Sequence, residues 1–491
     1  MSKKDFTPFS LRMGVGAVGW VHEQVVIKFE SRPSELSLRD TTQLKWFRRP
    51  KMENITIIAQ MLSIEIQHEL STEYRLTDIE QVTRRLVQEI GRQAIAMVVN
   101  AEESGYPETV LCQQCEEEMP YIRRRTVQLR TLFGCMEAKR SYYLCSACHQ
   151  GCCPLDQRLG LRPNAISAEL ERLAAMTGAL LPFGRGRDLF EALTLVSLSD
   201  QTIDKATQGY GDTVMQREQA WQGIAYDQEE IQRRKQDKSK PLRLYGAIDA
   251  TKVHTRGDGD QPWRDLKMGA WFEARGKPPK TPDGQWRIQA ENINYYADIC
   301  PATEFGSLMW ATGVQHNAQL ARELVILGDG ADWIWRLVAE HFPHAIQILD
   351  WFHATEYLMP VAKAAFSTES AQNEWVCQAK HALWDGLIDE VIDACLDLVH
   401  ATDSSDPAFV AARYFDQNRQ RMNYPDYRRQ GFQIGSGTIE SAAKQIGMMR
   451  MKVAGAIWNE ASARKVAKAR AAYLSDEWQA LAAYRALSLA I

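Results

Sequence analysis

Apolar positions along this chain follow two rhythms, and the change falls near residue 241. Residues 1–75 mix short apolar runs with charged turns and define little. Thr77-Asp78-Ile79-Glu80 then has the form of a capping box, in which a hydroxyl and a carboxylate satisfy the free N–H groups of a first turn. Ile79, Val82, Leu86, Ile90 and Met97 follow at helical spacing, predicting one amphipathic helix to about Glu102. Residues 160–235 are again helical in pattern, with Leu170, Leu173, Ala174 and Leu180 as core candidates. Within them, residues 190–210 hold a short helix, a turn and a second helix opened by Ser199-Asp200, which suits a helix-turn-helix or an ordinary helix corner. Residues 228–240 are charged without apolar period and predict a linker.

From Leu242 the period shortens. Residues 242–249, 266–273 and 292–299 contain β-branched or aromatic residues between Gly/Pro-rich turns and predict strands. A helical stretch, 305–317, leads to two continuous apolar runs at 324–327 and 346–349, the mark of strands covered on both faces. Residues 331–341 link them as a helix. Three meandering strands, a helix, a strand, a helix and a strand form the order of a ribonuclease H-like α/β mixed sheet. Beyond Asp350 the pattern is helical to about residue 425, and a last helix is expected from Ile439 to Ala472.

At 491 residues the chain exceeds one ordinary core. Its net charge of −4 gives no global attraction for nucleic acid, so any such surface must be a local patch. No apolar run is long enough to cross a membrane and no signal peptide opens the chain, which predicts a cytosolic protein. Ten cysteines in a reducing compartment then call for a reason other than disulfides. Cys112-x-x-Cys115 and Cys145-x-x-Cys148, joined by predicted strands at 121–129 and 136–144, are the plan of a zinc ribbon with a closed, structural tetrahedron. Cys152, Cys153 and His149 are spare ligand candidates. Cys135, Cys300, Cys377 and Cys395 lack a partner at ligand spacing and read as buried small hydrophobes. The stretch between the pairs carries Arg123, Arg124, Arg125, Arg130, Lys139 and Arg140 against the single acid Glu137, a candidate DNA-contacting face or simply a solvated one.

Two predicted strands end in an aspartate: Gly246-Ala247-Ile248-Asp249 and Leu327-Gly328-Asp329-Gly330. Neighbouring strands lie roughly 5 Å apart, so these carboxylates could share Mg²⁺. Glycines beside Asp329 would let the backbone turn and leave room for phosphate, whereas the simpler role for Asp329 is to cap the following helix. The third acid, Glu440, follows Gly435-Ser436-Gly437-Thr438-Ile439. It is either a ligand or a helix-dipole acid. Its helix continues with Lys444, Arg450, Lys452, Arg464, Lys465, Lys468 and Arg470 against Glu460, which suggests a ligand set in a phosphate-binding surface. Three such acids suit a two-metal displacement at phosphorus.

Taken together, Asp249-Ala250-Thr251-Lys252, Leu327-Gly328-Asp329-Gly330-Ala331-Asp332-Trp333-Ile334, Asp350-Trp351-Phe352-His353 and Gly435-Ser436-Gly437-Thr438-Ile439-Glu440, with Arg450-Met451-Lys452 and Trp458, resemble the bacterial ISKra-type insertion-sequence transposases. These are similar to the Mutator-like branch of DDE transposases. The resemblance spans about residues 105–475 and implies Asp249, Asp329 and Glu440 as an acidic triad holding two Mg²⁺ or Mn²⁺ ions. Asp350 and His353 match an accessory signature, with Asp350 an alternative ligand to Asp329. The helical stretch 354–425 takes the place of an all-helical insertion. Implied partners are double-stranded DNA, both element ends and target, and further copies of the chain. Arg123, Arg124, Arg125, Lys444, Arg450, Lys452 and Trp458 are the DNA-contact candidates, Trp458 as a wedge. The alternatives are a domesticated DNA-binding protein of the same fold and a ribonuclease H-like nuclease. The expected divisions are 1–105 (N-terminal, largely helical), 106–158 (zinc ribbon), 159–240 (helical, with linker), 241–353 (catalytic core), 354–430 (helical insertion) and 431–491 (glutamate helix and C-terminal helices).

Overall fold

A computed structural model describes residues 52–103, 106–162, 166–235, 241–256, 262–285, 289–435 and 437–490. The expectation for residues 1–51 lies outside the described residues, as do Ser436 and residues 236–240 of the expected linker. Thr56–Ile491 is one compact unit. The architecture is mixed α/β, with two separate sheets and many helices.

Helix α1 (Met52–Glu69) is exposed along most of its described length, and α2 (Leu76–Glu103) follows. The capping chemistry of α2 is displaced from its expected place. Thr77 falls inside the first turn, and Asp78 reaches back to accept the Arg75 backbone N–H at 2.7 Å. The C-terminal half of α2 packs Ile95 and Val99 onto Val127, Leu129, Met136 and Ala138 of the first sheet. That sheet runs in sequence order, β1 (Thr109–Leu111), β2 (Glu118–Thr131), β3 (Gly134–Leu144) and β4 (Gly151–Cys152), every pair antiparallel. Helix α3 (Pro154–Leu159) closes it.

Helices α4 (Ala168–Leu180), α5 (Phe183–Thr194), α6 (Asp200–Ile224) and α7 (Gln228–Lys235) come next. The α5–α6 corner has the expected turn, with Ser199 capping α6 by accepting from the Thr202 N–H. Yet α6 buries Ile203, Ala206, Thr207, Tyr210, Gly211 and Val214, and packs against α4 and α17 (Glu460–Leu474). Gly211 is required there: a Cβ would stand 2.3 Å from the Lys465 carbonyl oxygen. Residues 228–235, expected as linker, form a helix because Arg234 is tied to Glu230, to the Val314 carbonyl and to Gln315.

The second sheet comprises β5 (Arg243–His254), β6 (Trp263–Arg275), β7 (Gln289–Asp298), β8 (Glu323–Gly328) and β9 (Ile346–Leu349) in the order β7-β6-β5-β8-β9. β5, β6 and β7 are antiparallel, whereas β8 and β9 run parallel to β5. Helix α8 (Ala302–Gln315) precedes β8, and α9 (Asp332–His341) joins β8 to β9. Gly269 lets α8 approach closely, since a Cβ would stand 2.2 Å from the Met309 sulfur. The helices α10 (Trp351–Glu356), α11 (Leu358–Ala365), α12 (Glu369–Trp384), α13 (Ile388–Leu396), α14 (Pro407–Asn418) and α15 (Tyr424–Arg429) follow, then α16 (Gly437–Ala442), α17 and α18 (Trp478–Ala490). Sheet, helical segment and C-terminal helices share one core, including Ile248, Leu327, Leu349, Trp384, Phe415, Ile439 and Val466.

The expected last helix is broken. After α16 the chain winds as a π-helix over Ala443–Met451 and then leaves helical structure until Glu460. Gly455 supplies a left-handed φ of +79°, and Trp458 returns to β5, its N–H donating to the His254 carbonyl at 3.0 Å.

Candidate metal centres and nucleic-acid interface

The two Cys-x-x-Cys pairs form matching knuckles at one end of the first sheet. In each, the N–H of the first cysteine donates to a carbonyl five residues on, Cys112 to Glu117 and Cys145 to Gln150, both at 2.8 Å. In each, the residue after the second cysteine takes a left-handed φ, Glu116 at 60° and His149 at 58°. All four sulfurs lie within 4.8 Å of one another. Cross-pair separations are 3.5 Å for Cys112–Cys148 and 3.4 Å for Cys115–Cys145. A tetrahedral zinc with bonds of about 2.3 Å separates its sulfurs by roughly 3.8 Å, so this cluster could bind zinc with little movement. Backbone N–H groups of Gln114 and Cys115 aim at the Cys112 sulfur and hold its thiol down at about 7, and those of Cys148 and Ala147 lower Cys145. Cys152, Cys153 and His149 are not part of the four-sulfur group. One zinc that survives gel filtration is expected per chain. It should be lost from Cys112→Ser/Cys145→Ser, and metal analysis finding it unchanged there would remove this site.

Along β2, Arg123 and Arg124 are exposed. Arg125 is half-buried, its guanidinium 3.3 Å from the centre of the Tyr142 ring. Arg140 is turned inward onto Asp156.

The second candidate centre lies where the parallel strands of the large sheet end. Ile248 of β5 pairs with Gly328 of β8, and Gly328 pairs with Leu349 of β9. The next residues are Asp249, Asp329 and Asp350. One aspartate therefore stands at the same level on each of three neighbouring strands, spaced by about 4.8 Å from strand to strand. Asp249 is 9% exposed. Burial pushes its carboxyl up to about 6 against the pull of the Ala250 N–H, and the charges of Asp329 and Asp350 add to the rise while His353 opposes it. Asp329 accepts the Ala331 N–H at 2.9 Å, which makes a turn and not the helix cap considered above; the cap position of α9 is Ala331. Asp350 is the true cap. It is 1% exposed and accepts from the N–H groups of Phe352 and His353 at the start of α10. That commitment makes it a positioning group. His353 Nδ1 lies 3.5 Å from the Asp350 carboxylate. Burial works against its charge, but Asp350, with Asp249 and Asp329 behind it, outweighs burial and holds the imidazole at about 9.

Glycine beside Asp329 has a packing reason. Gly330 has φ +95°, and a Cβ there would stand 2.6 Å from the Tyr414 ring. Tyr414, on α14, donates its hydroxyl to the Asp329 carbonyl at 2.7 Å. The helical segment thus fixes the aspartate loop. Gly330→Ala is expected to cost about 2–4 kcal/mol through backbone strain and the displaced ring. Denaturant unfolding checks this, and a loss under about 1 kcal/mol would mean that the loop is not so held.

Glu440 is on α16, which packs on β5 and β6. The chain leading to it is fixed beside α10, with the Trp351 N–H donating to the Ile434 carbonyl at 2.8 Å. Its carboxylate lies 3.7 Å from Lys444 Nζ on its own turn. Among the described residues, Asp249, Asp329 and Glu440 do not form a group with all ligand oxygens within 4.8 Å. The donor chemistry of Asp249 and Asp329, two adjacent carboxylates each with one oxygen engaged by a backbone N–H, fits a hard divalent cation. Glu440 does not reach that pair in this arrangement.

The expected basic surface is mostly internal. Arg450 is 1% exposed, donates to the Gly178 carbonyl and lies over the rings of Phe183 and Trp458; burial lowers it to about 10. Trp458 is buried with its indole N–H on the Met451 carbonyl, so it is not placed as a wedge. Arg464 and Lys468 bind Asp298, Lys465 binds Asp212, and Arg470 binds the Ala179 and Leu180 carbonyls. Lys444 and Lys452 remain exposed. Cys377, expected to be buried, is exposed; its signal was present as Cys377-x-x-x-His381.

No family model matches the chain, and no curated protein matches it. Among solved structures it is similar to the Drosophila P element transposase strand transfer complex at 10% identity, over 66% of this chain and 82% of that one, with a TM-score of 0.21. A likeness that slight carries no argument about fold or activity. Among the described residues, no helix is long and apolar enough to cross a membrane.

Proposed function

We propose that the chain is a metal-dependent DNA transposase with a ribonuclease H-like catalytic sheet, of the ISKra-type and Mutator-like kind that its motifs resemble. The observation that carries this reading is the row of acids at the ends of β5, β8 and β9 in a sheet ordered β7-β6-β5-β8-β9. Asp249 and Asp329 would hold the divalent cation, and Asp350 fixes the start of α10 and the charge on His353. Protonated His353 offers a phosphate contact behind the two acids. Cations bound there would activate a water or 3′-hydroxyl and steady the leaving oxygen. Glu440 would complete the ligand set on release from Lys444 when DNA phosphates take up that lysine. Arg123, Arg124, Lys444 and Lys452 are the DNA contacts that the exposed surface leaves available.

The test is cleavage and joining of duplex DNA bearing the element ends, with Mg²⁺ or Mn²⁺, for the wild type beside Glu440→Gln. Loss of strand cleavage with DNA binding retained is expected; equal cleavage by the variant removes Glu440 from the mechanism. A second reading rests on the Glu440–Lys444 pair: a DNA-binding protein that keeps the sheet without strand transfer. Wild-type protein that binds the ends but never cuts them would favour it.

A further inference from the structure

We propose that Asp283, Cys377 and His381 form a second metal site, which takes an exchangeable zinc-class cation and fastens the β6–β7 connection to helix α12. Cys377 and His381 are one helical turn apart on α12, so both side chains project from the same face. Asp283 comes from the connection between β6 and β7. The three ligand atoms all lie within 4.8 Å of one another, and all three residues are exposed. His381 Nε2 stands 3.4 Å from Asp283 Oδ2. That is the edge of a tetrahedron with metal–ligand bonds of about 2.1 Å, the length zinc makes to imidazole nitrogen and carboxylate oxygen.

The connection is held in place from below. The Trp384 indole N–H donates to the Lys280 carbonyl at 3.2 Å, Pro282 is buried, and the Gly284 N–H donates to the Thr281 carbonyl at 3.0 Å. Two elements more than ninety positions apart in sequence therefore present their ligands to one point on a fixed base.

A sulfur, a nitrogen and an oxygen select a borderline-soft cation. Magnesium prefers oxygen alone and would be a poor occupant. Three protein ligands leave a fourth position for water, so the ion should exchange more readily than one closed by four cysteines. Binding releases the Cys377 thiol proton and replaces the Asp283–His381 ion pair with bonds to the metal. This site is separate from the acidic row, and its test does not depend on transposition.

The full chain, holding its four-cysteine zinc and freed of loose metal with a mild chelator, is titrated with Co²⁺. A visible d–d spectrum with one thiolate charge-transfer band is expected to saturate at one equivalent, with the four-cysteine zinc retained by metal analysis. Cys377→Ser should remove the charge-transfer band, and His381→Ala should weaken binding by at least about tenfold. Zn²⁺ should slow trypsin cleavage after Lys277 and Lys280 in the wild type and not in Cys377→Ser. These substitutions are on the exposed face of α12, so melting without added metal reports whether the fold is kept. No cobalt spectrum, or the same spectrum and protection in Cys377→Ser, would leave only a surface ion pair and overturn the proposal.

Discussion

Asp249→Asn is expected to give a protein that melts higher than the wild type at pH 7.5 without divalent metal, and that does not cut DNA. Both effects come from one fact: the wild-type carboxylate is buried beside Asp329 and Asp350 and titrates at about 6. In the unfolded chain an aspartate titrates near 4. The folded state therefore holds the extra proton between about pH 4 and pH 6, and stability falls as pH rises through that window. Above it the ionised side chain costs on the order of 2–3 kcal/mol. The amide carries no charge and avoids that cost, so the gain should vanish below about pH 4. A cation that binds the carboxylates repays the wild type through mass action, so Mg²⁺ or Mn²⁺ should raise the wild-type melting temperature and leave the variant unmoved. In a cleavage assay the variant should lose at least about 10³-fold, a few kcal/mol of transition-state stabilisation. Asp329→Asn should lose cleavage likewise. A variant that is no more stable than the wild type at pH 7.5, or that still cuts at a comparable rate, would take Asp249 out of the proposed centre.

The acids at the strand ends were legible because each closes a short, apolar run. Residues 324–327 and 346–349 can only be strands buried on both faces, and whatever follows them must stand at a sheet edge. The zinc knuckles were legible for a similar reason: two sulfurs at fixed local spacing announce a shared ion. What was not legible depends on partners far away in the chain. The expectation of a basic helix beyond Glu440 treated Arg450, Lys468 and Arg470 as surface charges, because alanine-rich sequence around them gives a weak apolar signal. In the fold those alanines are the contact points. Ala463, Ala467, Ala469, Ala471 and Ala472 are buried, and small side chains let α4 and α6 come close enough to take up the charged ones. The break before α17 was hidden too, since it depends on Trp458 pairing with the far end of β5. Residues 228–235 read as linker because their stabilising contacts are to the end of α8.

Lys468 shows what that inward turn is worth. It is 1% exposed, with Nζ 2.8 Å from Asp298 and 2.5 Å from Glu218, and it joins α17 to β7 and α6 at once. Burial opposes its charge, but the two carboxylates more than offset that and hold the ammonium above its ordinary value. Arg464 supplies a second cation to Asp298; for Glu218, Lys468 is the direct ion-pair partner. Lys468→Met keeps the length of the side chain and removes the charge, which leaves Glu218 buried without its counter-ion. Breaking a buried pair from one side costs about 3–5 kcal/mol. Glu218 is already raised by burial even with the lysine present, so in the variant it should take up a proton. A raised folded-state value means stability that is present at low pH and lost as pH rises, so the penalty should be smaller at pH 5 than at pH 8. Lys468→Met with Glu218→Gln should recover part of the loss, because the stranded charge goes with the glutamate. Denaturant unfolding of the three proteins at both pH values decides the matter. A single variant within about 1 kcal/mol of the wild type at pH 8 would mean that Lys468 is not the joint between these elements, and would reopen the possibility that it faces DNA.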